Sequence, residues 1–385
     1  MRDFAALLQS ELDELAGADR LRAPAELSGA SRQRPTSGGI PLLSFCSNDY
    51  LGLAAHPALL RAAAEAGERE GFGAGAARLV SGDLPSHRGL EADLAAFLGR
   101  EAALLFPSGY QANLGAVTAL AGAEDLIVSD AANHASLIDG CRLSRATVVV
   151  YPHADAEAAR TALRRPGSFR RRLLVTESLF SMDGDAAPLA DLARVAAEAD
   201  AILLVDEAHA LGALGPGGRG LCAGAGISPD VLIGTLGKAF GAGGGFVAGP
   251  TALRQLLLNR ARTFVFTTAP PPSVAAAARA ALSLVSGPEG ELRRRRLAAR
   301  RDQLVSSLGG RLPEVPGPIL PLVLGSDRAA LDAAATLRAR GLFVPAIRPP
   351  TVPEGTARLR ITLSSEHAQD EVERLATALR ELRTP

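Results

Sequence analysis

A chain of 385 residues has the length for two or three structural units with real cores, so a peptide-sized or disulfide-stapled scaffold is excluded. Its 41 basic and 41 acidic side chains cancel, and no global field draws it to nucleic acid or an anionic membrane. Three widely separated cysteines, Cys46, Cys141 and Cys222, give neither a disulfide framework nor metal-ligand spacing, which points to a reducing cytoplasm and no metal.

In chain order, Arg2, Asp3 and Glu11 interrupt the short apolar start, so no signal peptide is expected, and residues 1–45 read as an N-terminal helical segment. Seven strand-like apolar runs follow, at 103–106, 125–128, 147–151, 172–176, 201–205, 231–235 and 245–248. Helical patterns at 87–98, 109–120, 136–144, 156–163 and 189–199 alternate with them. This predicts an α/β domain over 46–285, built on a mostly parallel seven-stranded sheet with flanking helices. The uncharged stretch 102–123 is long enough to span a bilayer, but Pro107, Ser108, Gly109, Gln111 and Asn113 make it strand, turn and helix instead. Beyond residue 285 the composition changes. The run Glu-Leu-Arg-Arg-Arg-Arg at 291–296 reads as a solvated helix face, because no aromatic residues interleave with it as a nucleic-acid surface requires. Strands at 319–323, 342–344 and 358–362 alternate with helices at 328–340 and 369–382. Residues 286–385 therefore read as a smaller α+β domain.

The basic residues are 40 arginines and one lysine, Lys238. Surface cations and most phosphate contacts tolerate either residue, whereas chemistry at a deprotonatable primary amine does not. Lys238 follows a predicted strand in Thr-Leu-Gly-Lys-Ala-Phe-Gly (235–241), with Gly243, Gly244 and Gly245 close behind. Such a lysine can form a Schiff base with an aldehyde cofactor once its neutral amine is accessible. Asp206 ends the apolar run before it and precedes His209; a carboxylate there can keep a pyridine nitrogen protonated, although Asp-x-x-His alone is as often a helix cap. Ser108, Gly109 and Tyr110 lie between strand and helix, where backbone N–H groups can hold a phosphate, with Thr235 offering a hydroxyl. His134 follows another strand and is either a stacking partner for an aromatic cofactor or a core histidine. The glycines at 241–245 lack the spacing and distal acidic residue of a dinucleotide fingerprint.

Together these residues fit pyridoxal 5'-phosphate (PLP), and the chain resembles the α-oxoamine synthase family of fold-type I PLP enzymes. The resemblance rests on Ser-Asn-Asp-Tyr-Leu-Gly-Leu (47–53), Gly-Ala-Gly-Ala-Ala-Arg-Leu-Val-Ser-Gly (73–82), Phe-Pro-Ser-Gly-Tyr-Gln-Ala-Asn (106–113) and His-Ala-Ser-Leu-Ile-Asp (134–139). It continues through Glu-Ser-Leu-Phe-Ser-Met-Asp-Gly-Asp (177–185), the Asp206 and Lys238 blocks, and Ile-Arg-Pro-Pro-Thr-Val-Pro-Glu-Gly-Thr-Ala-Arg-Leu-Arg (347–360). It implies that Lys238 holds PLP and then removes the amino acid's α-proton. It further implies that Asp206 pairs with the ring nitrogen, His209 with the phenolic oxygen, and His134 with the ring face. Gly109, Tyr110, Ser181 and Thr235 would line the phosphate and ring pocket. Arg348 would bind the substrate carboxylate, supported by Asn48 and Glu177, and Thr351 and Arg22 would meet the acyl substrate. Thr267 and Thr268 match a stretch that reaches the partner subunit's phosphate, so a homodimer with active sites at the interface is expected. The implied reaction is a decarboxylative condensation of an amino acid with an acyl-CoA. The 347–353 run favours L-alanine with pimeloyl-CoA, or the carrier-protein form of that acyl group, as used in biotin biosynthesis. The alternative is glycine with acetyl-CoA, as in 2-amino-3-oxobutyrate CoA ligase.

Overall fold

The computed structural model describes residues 4–382. A helix, Phe4–Gly17, opens the described chain, so the expected N-terminal helical segment is helical only there; three short strands follow it: β1 (Thr36–Ser37), β2 (Ile40–Pro41) and β3 (Leu43–Ser44). Seven strands then build one sheet: β4 (Ala102–Phe106), β5 (Leu126–Asp130), β6 (Thr147–Tyr151), β7 (Arg172–Glu177), β8 (Ile202–Asp206), β9 (Val231–Thr235) and β10 (Gly245–Gly249). Their spatial order is β4-β10-β9-β8-β7-β5-β6, and only β10 runs against its neighbours. The apolar runs are continuous because the inner strands are covered on both faces. Leu104, Ile127, Leu173, Val175 and Leu204 pack under the helix Gly109–Leu120 and its neighbours, while Val128, Leu174 and Val205 meet the helices Ala156–Leu163 and Leu189–Glu198 on the other side. Burying each such side chain contributes about 1.5–3 kcal/mol. The edge strand β6 differs, with Val148 and Val150 exposed.

Four further strands follow: β11 (Ile319–Gly325), β12 (Leu342–Phe343), β13 (Ala346–Ile347) and β14 (Ala357–Thr362). β11, β14 and β13 form an antiparallel sheet carrying the helices Pro288–Leu308, Asp327–Ala339 and Gln369–Glu381. β12 pairs in parallel with β3 as a separate two-stranded sheet, so the segment before residue 46 is tied to this later part of the chain. Ser365 donates its N–H to the Tyr50 carbonyl at 2.8 Å, and Arg293 donates to the Leu51 carbonyl at 2.7 Å. The arginine run is therefore not simply a solvated face. Arg293 also pairs with Glu366 at 2.8 Å, and the buried Arg294 donates to the carbonyls of Val285 at 2.8 Å and Gly212 at 3.4 Å. These guanidiniums cap main-chain oxygens that loops leave unpaired, a long-range demand that local charge pattern does not encode.

Among the described residues, no helix is long and apolar enough to cross a membrane. The 102–123 stretch resolves into β4, a turn and the helix Gly109–Leu120.

Candidate active site

Six co-directional strands bring their carboxyl ends to one edge of the sheet, where open α/β folds bind ligands. β10 enters from that edge, so Gly245 sits beside both Phe106 and Thr235. A Cβ on Gly245 would lie 2.6 Å from the Gly109 Cα, so only glycine lets the start of the helix Gly109–Leu120 approach this closely. Gly241, at φ +64°, plays the same part for the lysine loop, since a Cβ there would strike the backbone of Leu53 and Ala54.

At this edge lies a cavity of about 210 Å³ lined by Gly109, Tyr110, Asn113, His134, Ser136, Glu177, Asp206, Ala208, His209, Thr235 and Lys238. Eight residues singled out from the sequence thus meet in one place. A larger groove of about 790 Å³, beside Arg145, Arg170, Arg260 and Arg262, holds no lysine, histidine or carboxylate.

Burial governs the electrostatics. It lowers the Lys238 amine to about 8, against the opposing pull of Asp206 and Glu177. Glu177 and Asp206 are opposite each other on adjacent parallel strands. Burial, then the facing Asp206, pushes the Glu177 carboxyl well above the usual range, against the pull of Lys238. Burial likewise lowers His134, and lowers His209 far below the ordinary imidazole value with help from Lys238.

Each group has a holder. Asp206 Oδ2 accepts from Asn113 Nδ2 at 2.7 Å, and Oδ1 from the Ala208 N–H at 2.8 Å. His209 Nδ1 lies 2.6 Å from the Tyr50 hydroxyl. Ser108 caps the helix Gly109–Leu120 by accepting the Gln111 N–H at 3.2 Å, which leaves the N–H groups of Gly109 and Tyr110 without an intrahelical acceptor. Thr235 Oγ1 donates to the Gly244 carbonyl at 3.0 Å.

The remaining sequence candidates lie elsewhere. Ser181 is buried behind the cavity, its carbonyl accepting from Arg360 Nε at 2.6 Å, and Asn48 Oδ1 lies 3.3 Å from Arg360 Nη1. Arg348 does not line the cavity: its guanidinium is bonded to the Asp19 carbonyl. Arg22 reaches Thr351 Oγ1 and the Pro349 carbonyl, both at 3.3 Å. Thr268 is bridged to Ala77, and neither it nor Thr267 lines the cavity of this chain. Three residues without an assigned part prove close to the chemistry. Asn113 and Tyr50 hold Asp206 and His209, and the buried Arg360 carries a charge that is felt at Lys238, His209 and Tyr50. All three stand inside the motifs, so position in the motif was the available signal.

The donor set suits PLP. An amine, an acid for a ring nitrogen and an imidazole surround a cavity whose rim is a helix N-terminus made approachable by Gly245, suited to a phosphate.

The sequence profile of aminotransferase class I and II matches residues 40–379. An 8-amino-7-oxononanoate synthase of Anaeromyxobacter dehalogenans (strain 2CP-1) is 54% identical over 345 residues, 89% of this chain and 86% of that protein. The enzyme of that name from Methylococcus capsulatus is 49% identical over 374 residues, 96% of each chain. Among solved structures, a Sphingomonas wittichii serine palmitoyltransferase superposes with a TM-score of 0.90 at 31% identity, covering 99% of this chain and 97% of its own. A serine palmitoyltransferase from S. paucimobilis with a bound PLP–myriocin aldimine gives 0.91 at 30%, covering 98% of each.

Fold and site together define a fold-type I PLP-dependent transferase. Within the class I and II aminotransferases, the chain belongs to the family of the 8-amino-7-oxononanoate synthases.

Proposed function

We infer that the protein catalyses the reaction for which these relatives are named. L-alanine condenses with a pimeloyl thioester, on CoA or a carrier protein, giving 8-amino-7-oxononanoate, CO2 and the free thiol for biotin biosynthesis. The observation that carries this reading is the convergence of Lys238, Asp206, His209 and His134 on one cavity, in a chain about half identical to those synthases. The cofactor is PLP. When bound, it supplies an aldehyde for an amine and a cationic ring that draws electrons from the amino acid's α-carbon.

Lys238 holds the cofactor through its amine, which at about 8 is in part unprotonated near neutral pH. Nζ is then the base for the α-proton. Asp206, steadied by Asn113 and the Ala208 N–H, keeps the ring nitrogen protonated. His209 turns Nε2 to the ring oxygen because Nδ1 is taken by Tyr50. The Gly109 and Tyr110 N–H groups receive the phosphate together with Thr235, and Ser181 flanks the ring. We assign the substrate carboxylate to Arg360 and Asn48 in place of Arg348, because Arg360 is the buried guanidinium whose charge reaches Lys238. Glu177, whose Oε1 accepts the His134 N–H, supports the reacting end. Arg348, Arg22 and Thr351 are left to the acyl donor at the outer rim.

A homodimer completes the site, with Thr267 and Thr268 reaching the partner's phosphate. Support comes from Phe72, Val80 and Phe266, large apolar side chains that are 85%, 80% and 71% exposed in the single chain and call for a cover. The free cysteines suit a cytoplasmic enzyme. Product mass after incubation with each amino acid and acyl-CoA pair tests the reaction. L-alanine with pimeloyl-CoA is expected to turn over fastest, and a preference for glycine with acetyl-CoA would reassign the substrates.

A further inference from the structure

We infer that Asn113 and Ser136 form a directed relay that ties Asp206 to His134 and fixes His134 as the neutral imidazole carrying its proton on Nε2. The direction follows from what each atom can donate. Facing a carboxylate, an amide must present its nitrogen, so Asn113 Nδ2 meets Asp206 Oδ2 at 2.7 Å. The second hydrogen of that nitrogen goes to Ser136 Oγ at 2.8 Å. Having received it, the hydroxyl donates its own hydrogen to His134 Nδ1, 2.8 Å away. The Ser136 N–H points at the same ring nitrogen from 3.2 Å. With two donors aimed at Nδ1, the ring proton is left on Nε2.

A second observation supports the direction. Among the described residues, Asn113 Oδ1 is buried with no hydrogen-bond partner. Turning the amide over would set that oxygen against the Asp206 carboxylate, so an orphaned acceptor is retained for the sake of the two donations. The main chain is fixed as well, since the His134 N–H donates to Glu177 Oε1. The charged groups acting on the ring are Asp206 and Asp139, which favour its protonation, and Lys238, which opposes it, while the Glu177 carboxyl faces the His134 main chain. His134 and Ser136 both line the cavity. His134 is then a fixed hydrogen-bond donor at neutral pH and not a proton shuttle. Its use toward a substrate oxygen rests on the PLP reading above; its protonation state does not.

The test is nitrogen-15 NMR of the full chain labelled at histidine, first without PLP and then loaded, with His134 assigned by its loss in His134→Gln. The expected result is the Nε2–H tautomer near neutral pH. An Nδ1–H ring or an imidazolium would overturn the relay. In Ser136→Ala, loss of the hydroxyl's donation to Nδ1 is expected to raise the proton affinity of His134 about tenfold, one pH unit in the titration, and in Asn113→Leu, where the hydroxyl remains but is no longer held in that direction, a smaller rise is expected. An unchanged titration in both would also overturn it, since a merely structural role lowers thermal stability and leaves the imidazole as it was. Should Asn113→Leu fail to fold, Ser136→Ala removes only a hydroxyl and carries the same test. Because the first measurement uses no cofactor, failure of the relay and failure to take up PLP are read separately.

Discussion

The floor of the cavity and its rim are built in opposite ways. The floor residues, Asp206, His209, Thr235 and Lys238, stand at or just beyond the ends of β8 and β9, strands buried on both faces. Their aim is set by short turns that the sequence itself specifies. The outer rim, formed by residues that do not line the cavity itself, draws Asn48 and Tyr50 from the loop after β3, Arg360 from β14 and Arg348 from the loop after β13, each stretch held by contacts to segments hundreds of residues away. The floor is rigid by covalent neighbourhood, the rim by assembly.

The sharpest way to break that comparison is at Asp206. Replacing it by alanine removes the charge that keeps the ring nitrogen protonated and leaves Asn113 Nδ2 without its carboxylate. Steady-state kinetics should find kcat lowered on the order of 10³-fold, in the range seen when one electrostatic stabiliser is lost. A drop of less than tenfold would mean that the floor is not where the chemistry is set.

The rim is tested by a pair of conservative changes. Arg360→Lys should lower kcat/KM for the amino acid by about 100-fold, because a buried forked guanidinium between Ser181 and Asn48 is not matched by an ammonium. Arg348→Lys should cost under about tenfold for the amino acid, with its larger effect on the acyl thioester. The reverse order would return the substrate carboxylate to Arg348.

pH sharpens the floor further. With the Lys238 amine lowered to about 8, the rate at which the unloaded protein takes up PLP should rise about tenfold per pH unit below that value and level off above it. Stopped-flow absorbance would follow it. A rate independent of pH between 6 and 9 would contradict the buried amine.

The smallest effect lies beneath both regions. His153 bridges Asp130 and Asp185, each at 2.8 Å, and those hydrogen bonds raise it to about 10. A group raised in the folded state contributes stability that is full below its unfolded value of about 6.5 and is lost as pH climbs through about 10. His153→Gln should therefore be less stable than the parent near pH 6, with the gap closing toward pH 10, as read by denaturant midpoints. A gap that widened with pH would refute the ionic bridge.

The same division decided what was legible in the sequence. All seven sheet strands stood out as apolar runs bounded by turns: the inner ones because burial on both faces leaves an uninterrupted pattern, and the edge strand β6 because its exposed positions are valines too. The lone lysine and the Asp206 block could be read because their partners follow from strand order. Arg360 could not, since an arginine in the short run after Thr356 looks the same whether it faces solvent or a cavity, whereas Arg348 in its proline-rich loop looks accessible. Asn113 was equally silent: its partner Asp206 is 93 residues away, and an amide on an alanine-rich helix carries no local mark of that bond. Arg293 and Arg294 were read as solvated for the same reason.

The central claim is that the single lysine of the chain carries the cofactor. Mass spectrometry of the protein after incubation with PLP and reduction with borohydride measures it directly. A stable PLP adduct on the peptide containing Lys238, absent in Lys238→Arg, is the expected result. Protein that gains no adduct, or a Lys238→Arg variant that turns over as the parent does, would contradict it.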